Sequence, residues 1–153
     1  MSEYSVKVII ATHKKYQMPS DAMYIPLHVG AEGKKDSDGN ELDWGYIKDN
    51  TGENISILNP SFCELTGLYW AWKNLDADYI GLVHYRRHFS LKKRNDKWRS
   101  VLTYNELKPY LDKVRVFVPK KRKYYIETLY SHYDHTHYSE QLDTTREIIE
   151  RMY

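Results

Sequence analysis

The chain is poor in three features that would narrow its class at once. It has one cysteine in 153 residues, Cys63, so no internal disulfide can hold it, and a reducing compartment suits it. No apolar run is long enough to cross a membrane, and Met1–Tyr4 leads straight into a strand pattern instead of a secretory leader. An excess of one charge is also lacking. Lysine and arginine number 23 against 21 aspartates and glutamates, a net +2 that gives no bulk attraction to nucleic acid. Together these absences predict a cytoplasmic protein. Peripheral contact with the inner membrane is compatible with them, through anionic headgroups meeting the basic runs near Lys92 and Lys120.

Glycine and proline are sparse, at seven and five, and there is no repeat or low-complexity tract. With 41% hydrophobic and 29% charged residues the chain reads as globular, and its length predicts a single domain over 1–153. Aromatic residues are what it has in plenty. Fifteen tyrosines and four tryptophans stand against three phenylalanines, so most rings carry a polar tip suited to sugar or nucleotide sites as well as to cores.

Val6–Thr12 reads as a buried strand, and Met23–Val29 as a weaker one interrupted by Pro26. Asn59-Pro60 opens a helix over Ser61–Asn74, with Ser61 and Glu64 as a competing capping box. Its stripe of Leu65, Leu68 and Trp72 predicts Trp72 in the core and Trp70 or Tyr69 toward a cleft. Tyr79–His84 is the next strand, making half of a βαβ unit. A capping box of Thr103 and Glu106 opens a helix bearing Leu107, Leu111 and Val114. Val114–Val118 reads as a further strand, and a last helix runs from about Ser139 to Tyr153. The fold class is α/β, with a mainly parallel sheet flanked by helices.

The sharpest chemistry lies at His84-Tyr85-Arg86-Arg87, where the apolar run Tyr79–Val83 ends. In parallel sheets ligands bind at the carboxyl ends of strands, and paired guanidiniums there suit phosphate oxygens. Strict alternation would place His84 and Arg86 on one face and Tyr85 and Arg87 on the other, so both arginines reach one ligand only if the strand ends by Tyr85. The plainer alternative is that both are tied into internal salt bridges.

Three stretches together are similar to a known group. They are Asn54-Ile55-Ser56 with Asn59, Cys63-Glu64-Leu65-Thr66-Gly67-Leu68-Tyr69-Trp70-Ala71-Trp72-Lys73-Asn74, and Tyr79 through His88-Phe89. With Thr12-His13-Lys14 and Tyr24–Ala31, they resemble the domain-of-unknown-function 4422 family of bacterial capsular and exopolysaccharide proteins. The resemblance implies a type-A glycosyltransferase fold that binds a nucleotide diphosphate sugar, some members being regarded as galactofuranosyltransferases. It also implies a glycan or lipid-linked glycan acceptor. Family members continue past residue 153 through an Asn-Met-Phe segment and an aromatic helix. The chain therefore resembles an N-terminal portion, with part of the acceptor site and a catalytic base expected beyond it.

Type-A enzymes often hold a divalent metal on Asp-x-Asp. Asp76-Ala77-Asp78 has that form but precedes its strand, at the amino edge, so the reading here needs no metal. Instead His84, Arg86 and Arg87 would neutralise the departing diphosphate. Asp49 and Glu64 are the candidates for a general base, Glu64 serving equally well as a helix cap. Thr12, His13 and Lys14 at the end of the first strand, Tyr85, Tyr69 and Trp70 are candidate donor contacts, as are Asn50, Asn54 and Asn59 in the turns nearby; for Asp49 and Asn50 ordinary turn chemistry competes. His132, His135 and His137, close to Asp134, could bind zinc, but a polar lip on the acceptor side, using His135 and His137, fits their spacing better. The alternatives to a transferase are a non-catalytic donor-binding fragment and a metal-dependent phosphodiesterase.

Overall fold

The computed structural model describes residues 4–92, 94–121 and 123–153. Met1–Glu3, Lys93 and Arg122 fall outside the described residues, and with them most of the N-terminal stretch weighed as a leader and one member of each basic run. Two compact units divide the chain, Met1–Phe117 and Val118–Tyr153.

The first unit is built on a four-stranded parallel sheet of order β3-β2-β1-β4, comprising β1 (Val6–Thr12), β2 (Tyr24–His28), β3 (Ile47–Lys48) and β4 (Tyr79–His84). The central β1 is buried on both faces because its residues supply two cores. Val6, Val8 and Ile10 point one way, with Tyr24, Val83 and Tyr85, against Leu107 and Leu111 of helix α3 (Tyr104–Leu111). Ile9 and Ala11 point the other way, with Leu27 and Val29, against Trp70 and Ala71 of helix α2 (Leu65–Asn74). Helices on both faces are what a parallel sheet requires. The Thr103–Glu106 capping box forms at α3 as its sequence predicts.

The predicted helix over Ser61–Asn74 is two helices, α1 (Asn59–Phe62) and α2, broken at Cys63, whose φ of +46° no helix accommodates. The Ser61–Glu64 box therefore does not form. Asn59 holds the break instead, its Nδ2 donating to the Cys63 carbonyl at 2.7 Å and to Thr66 Oγ1 at 3.0 Å.

The core face of α2 is also the reverse of the predicted one. Trp72 is 65% exposed and Leu65 and Leu68 face out, while Trp70 is 5% exposed. The reason is close approach at Gly67, where an added Cβ would stand 2.8 Å from Val29 Cγ1 and 3.1 Å from Leu27 Cδ2. A helix packs nearest the sheet on its smallest residues, and Thr66, Gly67 and Ala71 define that face.

Residues 114–118 form no strand. They are irregular, with Val116 and Val118 73% and 77% exposed and no β-ladder partner among the described residues. Side chains hold the start of this segment beside β4 instead. The Tyr79 hydroxyl donates to the Val114 carbonyl at 3.2 Å, and its ring lies 6.1 Å from that of Phe117.

The second unit contains α4 (Leu129–Asp134), capped by Thr128, and α5 (Glu140–Met152), the terminal helix the periodicity predicts. No described helix is long and apolar enough to cross a membrane.

Replacing Gly67 by leucine drives a branched side chain into Val29 and Leu27. It is expected to lower unfolding stability by about 2–3 kcal/mol, read from the urea midpoint at unchanged slope.

Candidate functional site

All four strands end on one edge, and the turns that follow β1 and β4 bring positive side chains together there. At the end of β1, Thr12 is buried and its Oγ1 donates to the Lys14 carbonyl at 2.6 Å, while the Lys14 amide donates back to it at 3.2 Å. This hydroxyl turn sends His13 and Lys14 outward. At the end of β4 the chain does not continue as a strand. The Arg87 amide donates to the His84 carbonyl at 2.8 Å and the Arg86 amide to His84 Nδ1 at 3.2 Å, closing a tight turn. Strand alternation stops at His84, so both arginines are free of it.

Tyr85, at the first position of that turn, is 2% exposed and forms the hub of the edge. Lys14 Nζ lies 5.3 Å from its ring centroid and Arg86 Cζ 5.4 Å. The rings of His13, Tyr16 and His84 stand at 5.4, 5.0 and 4.2 Å. An aromatic face attracts cations without neutralising them. Among the described residues neither Arg86 nor Arg87 makes an ion pair, and both are exposed. The internal salt-bridge alternative is not what the structure shows.

At the end of β3 the Lys48 ammonium pairs with Glu41 at 3.0 Å, and at the end of β4 the facing carboxylate is that of Glu64. Glu64, the residue before α2, places Oε1 3.8 Å from His84 Nε2. Its side chain makes no cap hydrogen bond to the helix. Burial lowers the His84 pKa below the ordinary histidine value; Glu64 opposes the shift, and Arg86, His13 and Arg87 add to it. His84 is therefore neutral near pH 7, its Nδ1 accepting a backbone N–H and its Nε2 turned toward Glu64.

Asp49 plays a different part from the one its sequence position suggests. It is 0% exposed, and its carboxylate accepts from Gly30 N at 2.8 Å, Ala31 N at 3.0 Å, Thr66 Oγ1 at 2.7 Å and the Ser56 hydroxyl. Four donors close it off from any substrate. Gly30 has φ +64°, and a Cβ there would strike the Asn59 side chain, so only glycine presents its amide to Asp49 in this way.

The remaining candidates divide. Asn54 closes its own turn, donating to the Gly52 carbonyl at 2.9 Å and accepting from the Ser56 amide at 3.2 Å, and Asn50 lies in the turn after β3. Trp70, expected at the cleft, is core, its Nε1 donating to the Thr51 carbonyl at 2.9 Å. Tyr69 donates to Glu53 at 2.9 Å on the outer side of α2. Asp78 is at the amino edge as predicted, accepting from the Ser5 amide at 2.7 Å. In the second unit, Glu127 bridges His132 Nδ1 and His135 Nδ1 at 3.0 and 2.9 Å, and His137 turns to Thr136. Among the described residues no group of three histidine, cysteine or acidic side chains stands ready to hold a metal ion.

Sequence reasoning missed Tyr16, which packs on Tyr85, and His28 with Trp44. His28 ends β2, is 3% exposed, and lies against Trp44 at 4.2 Å, the rings tilted by 33°, with its Nδ1 sealed and unpartnered. The one available signal is that His28 closes a strand on the ligand edge; Pro26 obscures that strand.

The profile of the family described as "Domain of unknown function (DUF4422)" matches residues 7–153, and the chain belongs to this family. Among solved structures, one described as the apo structure of the bifunctional glycosyltransferase WbbM is 43% identical over 61% of this chain, with a TM-score of 0.49. The match spans 16% of that longer chain. No curated protein matches.

Replacing Asp49 by alanine leaves sealed donors without an acceptor, each costing about 1–3 kcal/mol. With partial relaxation the expected loss of stability is about 3–5 kcal/mol by urea unfolding, whereas Asn54→Ala, in an exposed turn, costs under about 1 kcal/mol.

Proposed function

We propose that this chain binds the donor in a glycosyl transfer, a sugar carried on a nucleoside diphosphate, and that the diphosphate leaves against the cationic edge of the sheet. The observation that carries the reading is the meeting of Lys14 and Arg86 on the Tyr85 ring at the carboxyl edge, with Arg87 in the same turn beside His84 and no acid paired to either arginine among the described residues. Uncompensated like charges held together by the fold suit a ligand of opposite charge. A diphosphate matches them in charge and in guanidinium geometry.

In the proposed reaction the bond between the anomeric carbon and the diphosphate oxygen breaks, and the electron pair leaves with the phosphate. The oxygen of an acceptor hydroxyl bonds to the anomeric carbon and gives its proton to a base. Glu64, beside neutral His84, is the base this edge offers, since Asp49 is closed off. Each charged hydrogen bond to the departing phosphate contributes about 1.5–3 kcal/mol, so two or three supply a large share of leaving-group stabilisation. The reading needs no metal, the cations taking the place a divalent ion would fill. Within the resemblance to capsular and exopolysaccharide proteins, the acceptor is a growing bacterial surface glycan, free or lipid-linked, met at the inner face of the cytoplasmic membrane. Galactofuranose is one sugar this family resemblance suggests. A donor-binding role without catalysis is the second reading, favoured by the 3.8 Å between Glu64 Oε1 and His84 Nε2, longer than a hydrogen bond.

Calorimetric titration with uridine diphosphate, with and without chelator, tests the binding. Arg86→Ala and Arg87→Ala are each expected to weaken it about 10-fold or more, with little change in melting temperature because both side chains are exposed. Unchanged affinity in both variants overturns the reading. Binding without sugar transfer assigns the non-catalytic role, and phosphodiester cleavage dependent on zinc or manganese assigns the hydrolase.

Acidity gives a second check. A phosphate at the edge favours protonated His84, whose pKa is lowered in the free protein. The terminal phosphate of uridine diphosphate loses charge in the same window, so the check is the ratio of wild-type to His84→Gln affinity, expected to rise as pH falls from 7.5 to about 5.5.

A further inference from the structure

A cavity of about 180 Å³, room for about six waters at liquid volume, opens between the loop carrying Gln17–Asp21 and the segment Trp98–Thr103. Nothing in the diphosphate site uses it. Its walls are fixed by the fold. Asp21 accepts from the Met23 amide at 3.0 Å and the Tyr104 amide at 2.9 Å, and the Tyr24 hydroxyl donates to the Leu102 carbonyl at 2.7 Å. These polar groups are committed to the rim. By contrast Gln17, Ser20 and Trp98, which also line the cavity, make no side-chain hydrogen bond among the described residues.

Behind this wall the His88 ring, its two nitrogens sealed, sits 5.6 Å from Trp98 and 6.2 Å from Tyr24 and backs the two aromatic residues of the lining. Lys97 Nζ lies 4.8 Å from the indole centroid.

We infer that this cavity seats a neutral hexopyranose, with Trp98 against its C–H face and Gln17 and Ser20 on its hydroxyls. The chemistry is that of a saccharide subsite: one aromatic plane, apolar walls from Met18, Pro19 and Leu102, and a few uncommitted hydrogen-bonding groups. The cavity is linked to the cationic edge by contacting rings, Trp98 to Tyr16 at 6.3 Å and Tyr16 to Tyr85 at 5.0 Å. A sugar held against Trp98 is two ring contacts from Tyr85 and the cationic edge, the neighbourhood in which an acceptor residue belongs. That the bound sugar is the acceptor rests on the glycosyl-transfer reading; that a sugar binds does not.

The test is saturation-transfer NMR on the full chain with methyl glycosides of glucose, galactose and mannose at millimolar concentration, uridine diphosphate affinity being measured on the same samples. At least one glycoside is expected to show transfer. Trp98→Leu is expected to abolish it, and Gln17→Ala, an exposed substitution that leaves the fold intact, to reduce it several-fold. Silence from all three glycosides, or transfer indifferent to both variants, overturns the inference. If uridine diphosphate binds while no glycoside does, the donor reading stands and the sugar subsite falls. Glycoside binding through Trp98 without any nucleotide binding leaves the sugar subsite standing and removes the donor reading.

Discussion

The carboxylate of Asp49 is the interaction on which the first unit depends. It lies out of water and gathers four donors from three separate places: the two amides after β2, the Ser56 hydroxyl and Thr66 on α2. A buried charge is tolerated when it is this fully bonded, and its loss strands every donor at once. What Asp49 organises is the approach of α2 to the sheet. Through Thr66 it sets where that helix begins, and Glu64, two residues earlier, is thereby brought to the end of β4.

The α2 packing follows the same logic. Gly67 and Ala71 let the helix settle on Leu27, Val29 and Ile9, and Asn59 ties off the reversal at Cys63 that frees the helix from the turn before it. The outcome is a helix that is apolar on both sides, with Leu65, Leu68 and Trp72 of α2 exposed, as are Ile57, Leu58 and Phe62 in the turns before it.

How much of this is legible from the residues alone depends on the range of the interaction. β1 and β4 are short apolar runs that end abruptly, and their fate is written locally. So are the Thr103–Glu106 box, helix α5 and the placement of Asp76 and Asp78 at the amino edge. The cationic edge is legible for the same reason: it needs only the strand ends and the parallel rule. The orientation of α2 is not, because leucines and tryptophans fall on two stripes and the choice is made by Gly67 against Val29, nearly forty residues away in the chain. β3 has two residues, too few for any pattern. Asp49 looks like a turn residue until Ser56 and Thr66 close over it. The ring contacts of Tyr85 with His13 and Tyr16, and of His28 with Trp44, arise from chain segments that meet only once the sheet has formed. Family membership adds a frame to that reading, and the individual side-chain duties still come from the geometry.

The use of a phenol ring as the mooring for Lys14 and Arg86 has an effect beyond the contact itself. Had aspartate or glutamate held these cations, their charges would have been cancelled inside the protein. A ring has a quadrupole and no net charge, so the field of the cations survives and projects into the solvent to about a Debye length, roughly 8 Å at physiological salt. The edge thus recruits anions before touching them, and capture becomes a matter of electrostatic guidance that added salt would blunt.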